Sequence, residues 1–385
     1  MAEYIINQSA GIYKRAMELY DEGKFKDAVP LLEDVVLNDS ENHNAEYFLA
    51  ECLYHGKGCA VDHKRAFSLY YSAAANKITE ACYMVGLCYL QATGTYEDFT
   101  QSVAWFTEAA KYAHPMSQYY LGLAYMNGKG ITRDIPRAAQ WLVHAAKMGI
   151  VDAQKNAAIC YEALGKFKGA ARLYLAGADN GDSYCMEKIA DCFADGIGCS
   201  KCEDLAIHYY EQAANAGNFQ AQNNMAKRYY SGNGVPQSTK NAIFWWMKAA
   251  AGDVTEAQNS LAECYYSGDG VFKSYSQAIQ WWTKAANAGN IAAMQHLAEV
   301  AMNPEDGREK DPVNCKYWWT KAAEKGDPYS MFKLGECFEY AIGHPSADLE
   351  EAYKWYRAAS NLGSDEATEA LTHFKSKGGK IRKIK

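Results

Sequence analysis

Four cysteines crowd into eighteen residues: Cys185, Cys192, Cys199 and Cys202. Thiolates at this density suit a tetrahedral zinc site, and Cys199-Ser200-Lys201-Cys202 supplies the C-x-x-C spacing such sites use, with His208 close behind. Three of the four, however, fall at positions that recur along the chain. Cys192 sits on a column shared by Cys52, Cys88, Cys160, Cys264 and Cys337, with Ala124 in the same slot of its own segment. Cys199 matches Cys59, and Cys185 matches the small residue Ala45. A recurring small slot is a packing position, and a free thiol fills it well. Only Cys202 is extra, so the reading is reduced structural thiols and no metal.

Other chemistry fails the same comparison. Gly-x-Gly pairs at Gly56/Gly58, Gly128/Gly130, Gly196/Gly198, Gly232/Gly234 and Gly268/Gly270 resemble the start of a dinucleotide fingerprint. That fingerprint needs a preceding strand, a third glycine and a ribose-binding acid. These pairs follow helical patterns and recur as punctuation. Ser330-Met331-Phe332-Lys333 fits the Ser-x-x-Lys of penicillin-recognising enzymes, but neither Ser-Asp-Asn nor Lys-Thr-Gly accompanies it. No His-Glu-x-x-His or Walker loop occurs, and the nine histidines show no regular pairing. The sequence therefore assigns no catalytic residue and no cofactor, and the expectation is a protein that is not an enzyme.

The elements that would position any site are set by composition and period. Across 385 residues, 49% are hydrophobic and only eight are proline, which supplies a core and favours helices. A net charge of −7 without a basic stripe gives no reason to expect nucleic acid. The amino terminus lacks a basic and apolar leader, and no stretch approaches the ~20 apolar residues that span a bilayer. A soluble cytoplasmic protein without membrane insertion is expected.

Aromatic pairs give the period. Tyr70-Tyr71, Trp105-Phe106, Tyr209-Tyr210, Trp245-Trp246, Trp281-Trp282, Trp318-Trp319 and Trp355-Tyr356 mark successive second helices, with steps of 36 and then 37 residues from Tyr209 onward. Trp141-Leu142 and Leu173-Tyr174 fill the gaps, giving nine units. First helices carry an apolar residue followed by a small one, as in Leu49-Ala50, Val85-Gly86, Leu121-Gly122 and Leu334-Gly335. Apolar spacing of three and four marks both as amphipathic helices. Gly217, Gly252, Gly289 and Gly326 are expected to end second helices in the left-handed conformation. Asn218, Asp253, Asn290 and Asp327 are expected as the next N-caps, with Pro328 in the first turn.

Segments such as 221–252 and 257–289, with their Leu-Ala, Tyr-Tyr, Gly-x-Gly-Val, Trp-Trp and Lys-Ala-Ala elements, resemble Sel-one-like repeats, a longer-turned branch of the tetratricopeptide-like solenoids. The resemblance implies an all-α, right-handed α/α superhelical solenoid. Residues 1–43 form a tetratricopeptide-like hairpin or cap, residues 44–363 the array, and residues 364–385 a cap helix and basic tail. The unit at 151–182 has the short Gly-Lys-Phe-Lys turn of a plain tetratricopeptide repeat, as does Gly23-Lys24-Phe25-Lys26. Irregular turns are expected after Leu90, Met302 and Tyr340. In the secreted cysteine-rich branch of this family disulfide partners sit on second helices, whereas this chain is read as carrying Ala there.

The resemblance implies a scaffold or adaptor that binds a peptide or helix of a partner protein along its first helices, which line the concave face, and acts as a monomer. The second reading of this chain is a regulatory subunit or secreted effector acting on a specific target protein, and the third is a penicillin-binding or β-lactamase-like enzyme. Residues two, six and nine past the small first-helix column form one stripe, i, i+4, i+7. In the second and third units it reads Tyr83, Leu87, Leu90 and Tyr119, Leu123, Met126, where later units place Asn, Gln and Glu. A contiguous apolar patch marks a contact site, so these six are the candidate groove. Glu263, Glu299 and Glu336 are assigned to steer a basic segment beside it. The competing reading tucks the six under a neighbouring unit.

Overall fold

Each unit of the chain closes on itself only by leaning on the next, because one amphipathic helix pair cannot cover its own apolar face. The computed structural model describes residues 2–376, and among them are 21 helices and no strand. The basic tail from Lys377 to Lys385 lies outside the described residues.

The helices fall into two units, Met1–Cys202 and Glu203–Lys385. The first holds α1 (Ala2–Asp21), α2 (Phe25–Asn38), α3 (His43–His55), α4 (His63–Ala75), α5 (Thr79–Gln91) and α6 (Phe99–Lys111), followed by α7 (Pro115–Asn127), α8 (Ile135–Lys147), α9 (Val151–Ala163), α10 (Phe167–Asp179) and α11 (Ser183–Asp195). The second holds α12 (Glu203–Asn215), α13 (Phe219–Ser231), α14 (Thr239–Ala251), α15 (Thr255–Ser267) and α16 (Tyr275–Asn287), followed by α17 (Ile291–Met302), α18 (Pro312–Glu324), α19 (Pro328–Glu339), α20 (Leu349–Asn361) and α21 (Asp365–Ser376). Within each unit every helix packs on its predecessor and its successor, the arrangement of an α/α solenoid.

One column of the second helices, aromatic in most repeats and Leu142 in α8, carries the core. Tyr70, Phe106, Tyr174, Tyr210, Trp246, Trp282, Trp319 and Tyr356 are all buried. In the first pair it is Tyr70 that is buried and Tyr71 that is exposed, so Leu69-Tyr70 is the pair in register with Trp105-Phe106. The small first-helix residue lets the neighbouring helix approach. A Cβ on Gly86 would lie 2.6 Å from the Phe106 ring, on Gly122 2.6 Å from Leu142, and on Gly335 2.6 Å from Tyr356. Gly122→Ala should therefore cost about 1–3 kcal/mol through overpacking despite its better helix propensity. A urea titration of the variant checks this, and a stabilised protein would show the approach to be looser.

The turns correct part of the sequence reading. Gly217, Gly289 and Gly326 take positive φ, and Asn218, Asn290 and Asp327 cap the following helices through Ala221, Ala293 and Ser330 N–H. Gly252 does not, having φ −93°; Asp253 adopts φ +59° instead, and Val254 stands at the N-cap without a side-chain bond. That turn is shifted by one residue, and Gly252 is needed because a Cβ there would meet the Phe219 ring at 2.1 Å. The turns after Leu90 and Tyr340 are also more regular than expected. Ala92 and Ala341 take the left-handed place of the first glycine, while Gly94 and Gly343 keep the second. Those second glycines touch backbone: a Cβ would lie 2.0 Å from His63 O and 2.3 Å from Pro312 O respectively. The second glycine thus seats each turn on the start of the preceding second helix. After Met302 the turn is longer and does differ, with Asn303 at φ −131°.

Candidate partner-binding faces

Cys185, Cys192 and Ser330 occupy packing positions. Cys185 and Cys192 are buried, Cys199 and Cys202 half-buried, and all twelve thiols are free. Among the described residues no group of three or more His, Cys, Asp or Glu side chains is placed to hold a metal. Burial pushes the Cys192 thiol up to about 11, away from the thiolate a metal or a nucleophile needs. Second-helix positions are not all Ala, since Cys315 on α18 is buried beside Cys337 of α19. Ser330 is fully buried, and its hydroxyl donates to the capping carboxylate Asp327 at 2.5 Å. Lys333 Nζ pairs with Glu336 at 2.8 Å, so it does not serve Ser330 as a base.

The apolar stripe lies on α5 and α7. Tyr83, Leu87, Leu90, Tyr119, Leu123 and Met126 are all half-buried, packed on the edges of successive core clusters. The three columns differ. Two residues past the small column, side chains are drawn inward: Tyr83 lies 4.6 Å from His114 with the rings tilted by 34°, and the equivalent Glu187 and Asn223 are buried. Burial pushes the Tyr83 phenol up to about 12, leaving it neutral. Leu90 and Leu123, further along the stripe, line an apolar cavity of about 160 Å³ with Phe99, Val103, Phe106 and Tyr120. It is roofed on one side by Lys129, whose ammonium sits 3.7 Å from the Phe99 ring centroid. Such a cavity fits one apolar side chain.

The three acids occupy the first helices of the second unit. Glu263 on α15 and Glu299 on α17 are exposed, and Glu336 on α19 is half-buried. His296 stands between the first two, its Nε2 3.3 Å from Glu263 and its Nδ1 4.0 Å from Glu299. That contact with His296 holds the Glu263 carboxyl below its ordinary range, against the opposing effect of burial. Elsewhere acids of this face are already engaged. Tyr70, Tyr174 and Tyr356, all buried second-helix residues, donate to Glu51, Glu162 and Glu339 at 2.6, 2.8 and 2.7 Å. A phenol buried on the second helix demands an acceptor, and a glutamate of the first helix supplies it. This pairing could have been sought in the sequence as Tyr at the buried aromatic column with Glu on the stripe.

The Sel1 repeat model matches residues 43–77, 79–111, 115–150, 183–218, 219–254, 255–290, 291–327 and 328–364. The chain belongs to the Sel1 repeat family. The segment 151–182, with the short-turned pair α9 and α10, is not among the matched Sel1 repeats. A protective antigen present in uropathogenic Escherichia coli strains, displaying an SLR fold, is 26% identical with a TM-score of 0.78, over 98% of this chain and 83% of that one. A Sel1 repeat protein from Oxalobacter formigenes is 22% identical, over 94% of this chain and 89% of that one, with a TM-score of 0.48. No curated protein matches the sequence. Sel1 and tetratricopeptide-like solenoids mediate protein–protein interaction, and no helix among the described residues is long and apolar enough to cross a membrane.

Proposed function

We propose that this Sel1 protein is a non-catalytic adaptor, cytoplasmic and monomeric, that holds a peptide or helix of a partner protein on its first-helix face. The observation that carries the reading is the half-buried stripe of Tyr83, Leu87, Leu90, Tyr119, Leu123 and Met126, which opens at Leu90 and Leu123 into a cavity the size of a single side chain. Apolar anchors of a partner settle there, since desolvated aromatic and aliphatic pockets are where interface energy concentrates. Glu263, Glu299 and Glu336 add an acidic wall that draws a basic segment. Twelve unpaired thiols suit a reducing compartment.

Leu87→Asp with Leu123→Asp tests the stripe. The expected result is a partner affinity reduced at least tenfold with a thermal midpoint lowered by only a few degrees. Leu87→Ala with Leu123→Ala, which introduces no charge, should weaken binding in the same direction. A collapse of thermal stability in both doubles, with binding per folded molecule unchanged, would assign these leucines to the core alone.

A further inference from the structure

Along the first helices of the second unit three cavities run into one another. The first, about 610 Å³, lies between α13, α15 and α17; the second, about 540 Å³, between α15, α17 and α19; the third, about 400 Å³, between α19 and α21. Tyr266, Trp282, His296 and Glu299 belong to both the first and the second, and Glu336 to both the second and the third. Buried aromatics form the floor: Trp246, Trp282, Trp319 and Tyr356.

Two features separate this trough from the rest of the face. The first is charge: among the described residues seven carboxylates line it, against two lysines. Both lysines are already matched, Lys333 by Glu336 and Lys227 by Glu256. The second is the state of the floor. Where the buried aromatic is Tyr70, its hydroxyl engages Glu51 and leaves that carboxylate 14% exposed. Where it is Trp282, the glutamates in the same column, Glu263 and Glu299, are each 51% exposed. The indole Nε1 atoms of Trp246 and Trp282 have no acceptor among the described residues, although the two residues are 3% and 1% exposed and line the cavity. An aromatic floor beneath a rim of carboxylates matches a segment whose side chains carry positive charge and lie flat on the rings.

We infer that this trough seats an extended, arginine-bearing segment of a partner protein. The inference rests on the reading that the first-helix face binds protein, and it names the chemistry of what binds in the second unit. Arginine fits better than lysine because its planar guanidinium lies flat on the Tyr266 and His296 rings while donating in a fork to Glu263 or Glu299. First helices of successive repeats lie roughly 10 Å apart, and an extended chain covers that in about three residues. Arginines at every third position therefore meet Glu263, Glu299 and Glu336 in turn.

The test uses the full chain and fluorescein-labelled (Arg-Gly-Ser)5, (Lys-Gly-Ser)5 and (Gly-Gly-Ser)5 peptides, read by anisotropy at near-physiological salt. The arginine peptide should bind at least fivefold more tightly than the lysine peptide, and the neutral peptide not at all. Glu263→Gln/Glu299→Gln/Glu336→Gln should weaken arginine binding at least tenfold. Asp152→Asn/Asp179→Asn/Asp195→Asn, which removes the same charge from the first unit, should leave it unchanged. Equal binding of the lysine peptide, equal loss in the two triple variants, or no binding of the arginine peptide overturns the inference. Leu87→Asp/Leu123→Asp should leave arginine binding intact. If arginine binding fails while that double variant still loses partner, the trough is refuted and the adaptor reading stands; loss of neither refutes both.

Discussion

Trp282→Ala should destabilise the second unit by about 3–5 kcal/mol, the range for deleting a large aromatic from a packed interior. Trp282 is the largest fully buried side chain among the described residues. Its indole stacks on His296 at 4.8 Å, meets Tyr266 at 5.3 Å, and packs in the core cluster with Ala262, Ala285 and Leu297. Truncation leaves a cavity among α15, α16 and α17. Because stability in a solenoid sums over nearest-neighbour interfaces, the loss should be local. Hydrogen exchange should accelerate in α15 to α18 and stay unchanged in α3 to α6. Trp281→Ala, which removes a half-buried neighbour whose face carries Lys284 at 4.4 Å, should cost clearly less. Uniform acceleration throughout the chain, or equal costs for the two tryptophans, would contradict the column assignment.

Glu187→Gln should raise stability at pH 8 by on the order of 3 kcal/mol and leave it nearly unchanged at pH 4. The Glu187 side chain is 4% exposed. Burial raises its carboxyl from the ordinary range to about 7, and Asp191 adds to the rise, with Lys188 Nζ at 3.1 Å only partly offsetting it. The folded state therefore holds a proton that the unfolded state has released. The native protein is relieved of the cost below pH 4.5 and loses stability as pH rises from about 4.5 through 7. Lys188 has its own pKa raised by Glu187 and Asp191 against the effect of burial, but it stays charged throughout this window and adds no slope. Urea titrations of both proteins at pH 4, 6 and 8 give the comparison. A parallel pH dependence in the variant would show Glu187 to be solvated.

Glu187 also marks where the sequence stopped being legible. The repeat length, the two helices per unit and the buried aromatic column are periodic, and a period survives in one dimension. Leu49, Leu121, Leu261 and Trp282 were recognisable because side chains at one helical face must recur with the packing partner. Spacing alone puts the three columns of the first-helix stripe on one helical face. The stripe's first column is instead drawn inward at Glu187 and Asn223, both buried, because the depth of a helical position is a property of stacking and not of spacing. At Gly252 and Asp253 the turn lies one position away from the repeat pattern, because a ring from α13 rather than a backbone angle demands the glycine. The six apolar residues of α5 and α7 and the three glutamates were nameable from their types. That Glu263 and Glu299 rim a tryptophan floor, while Glu51 and Glu162 are tied to tyrosines, required the side chains in place.

Binding on the first-helix face is reached most directly by photo-crosslinking in the cells that make this protein. p-Benzoylphenylalanine at Met126, on the stripe, should trap one protein species at a defined segment, and the adduct should disappear when Leu87 and Leu123 are both aspartate. The same group at Tyr71, exposed on the second helix α4, should trap nothing specific. Adducts that form equally from Tyr71, or that survive the double substitution, would place the partner elsewhere on the molecule.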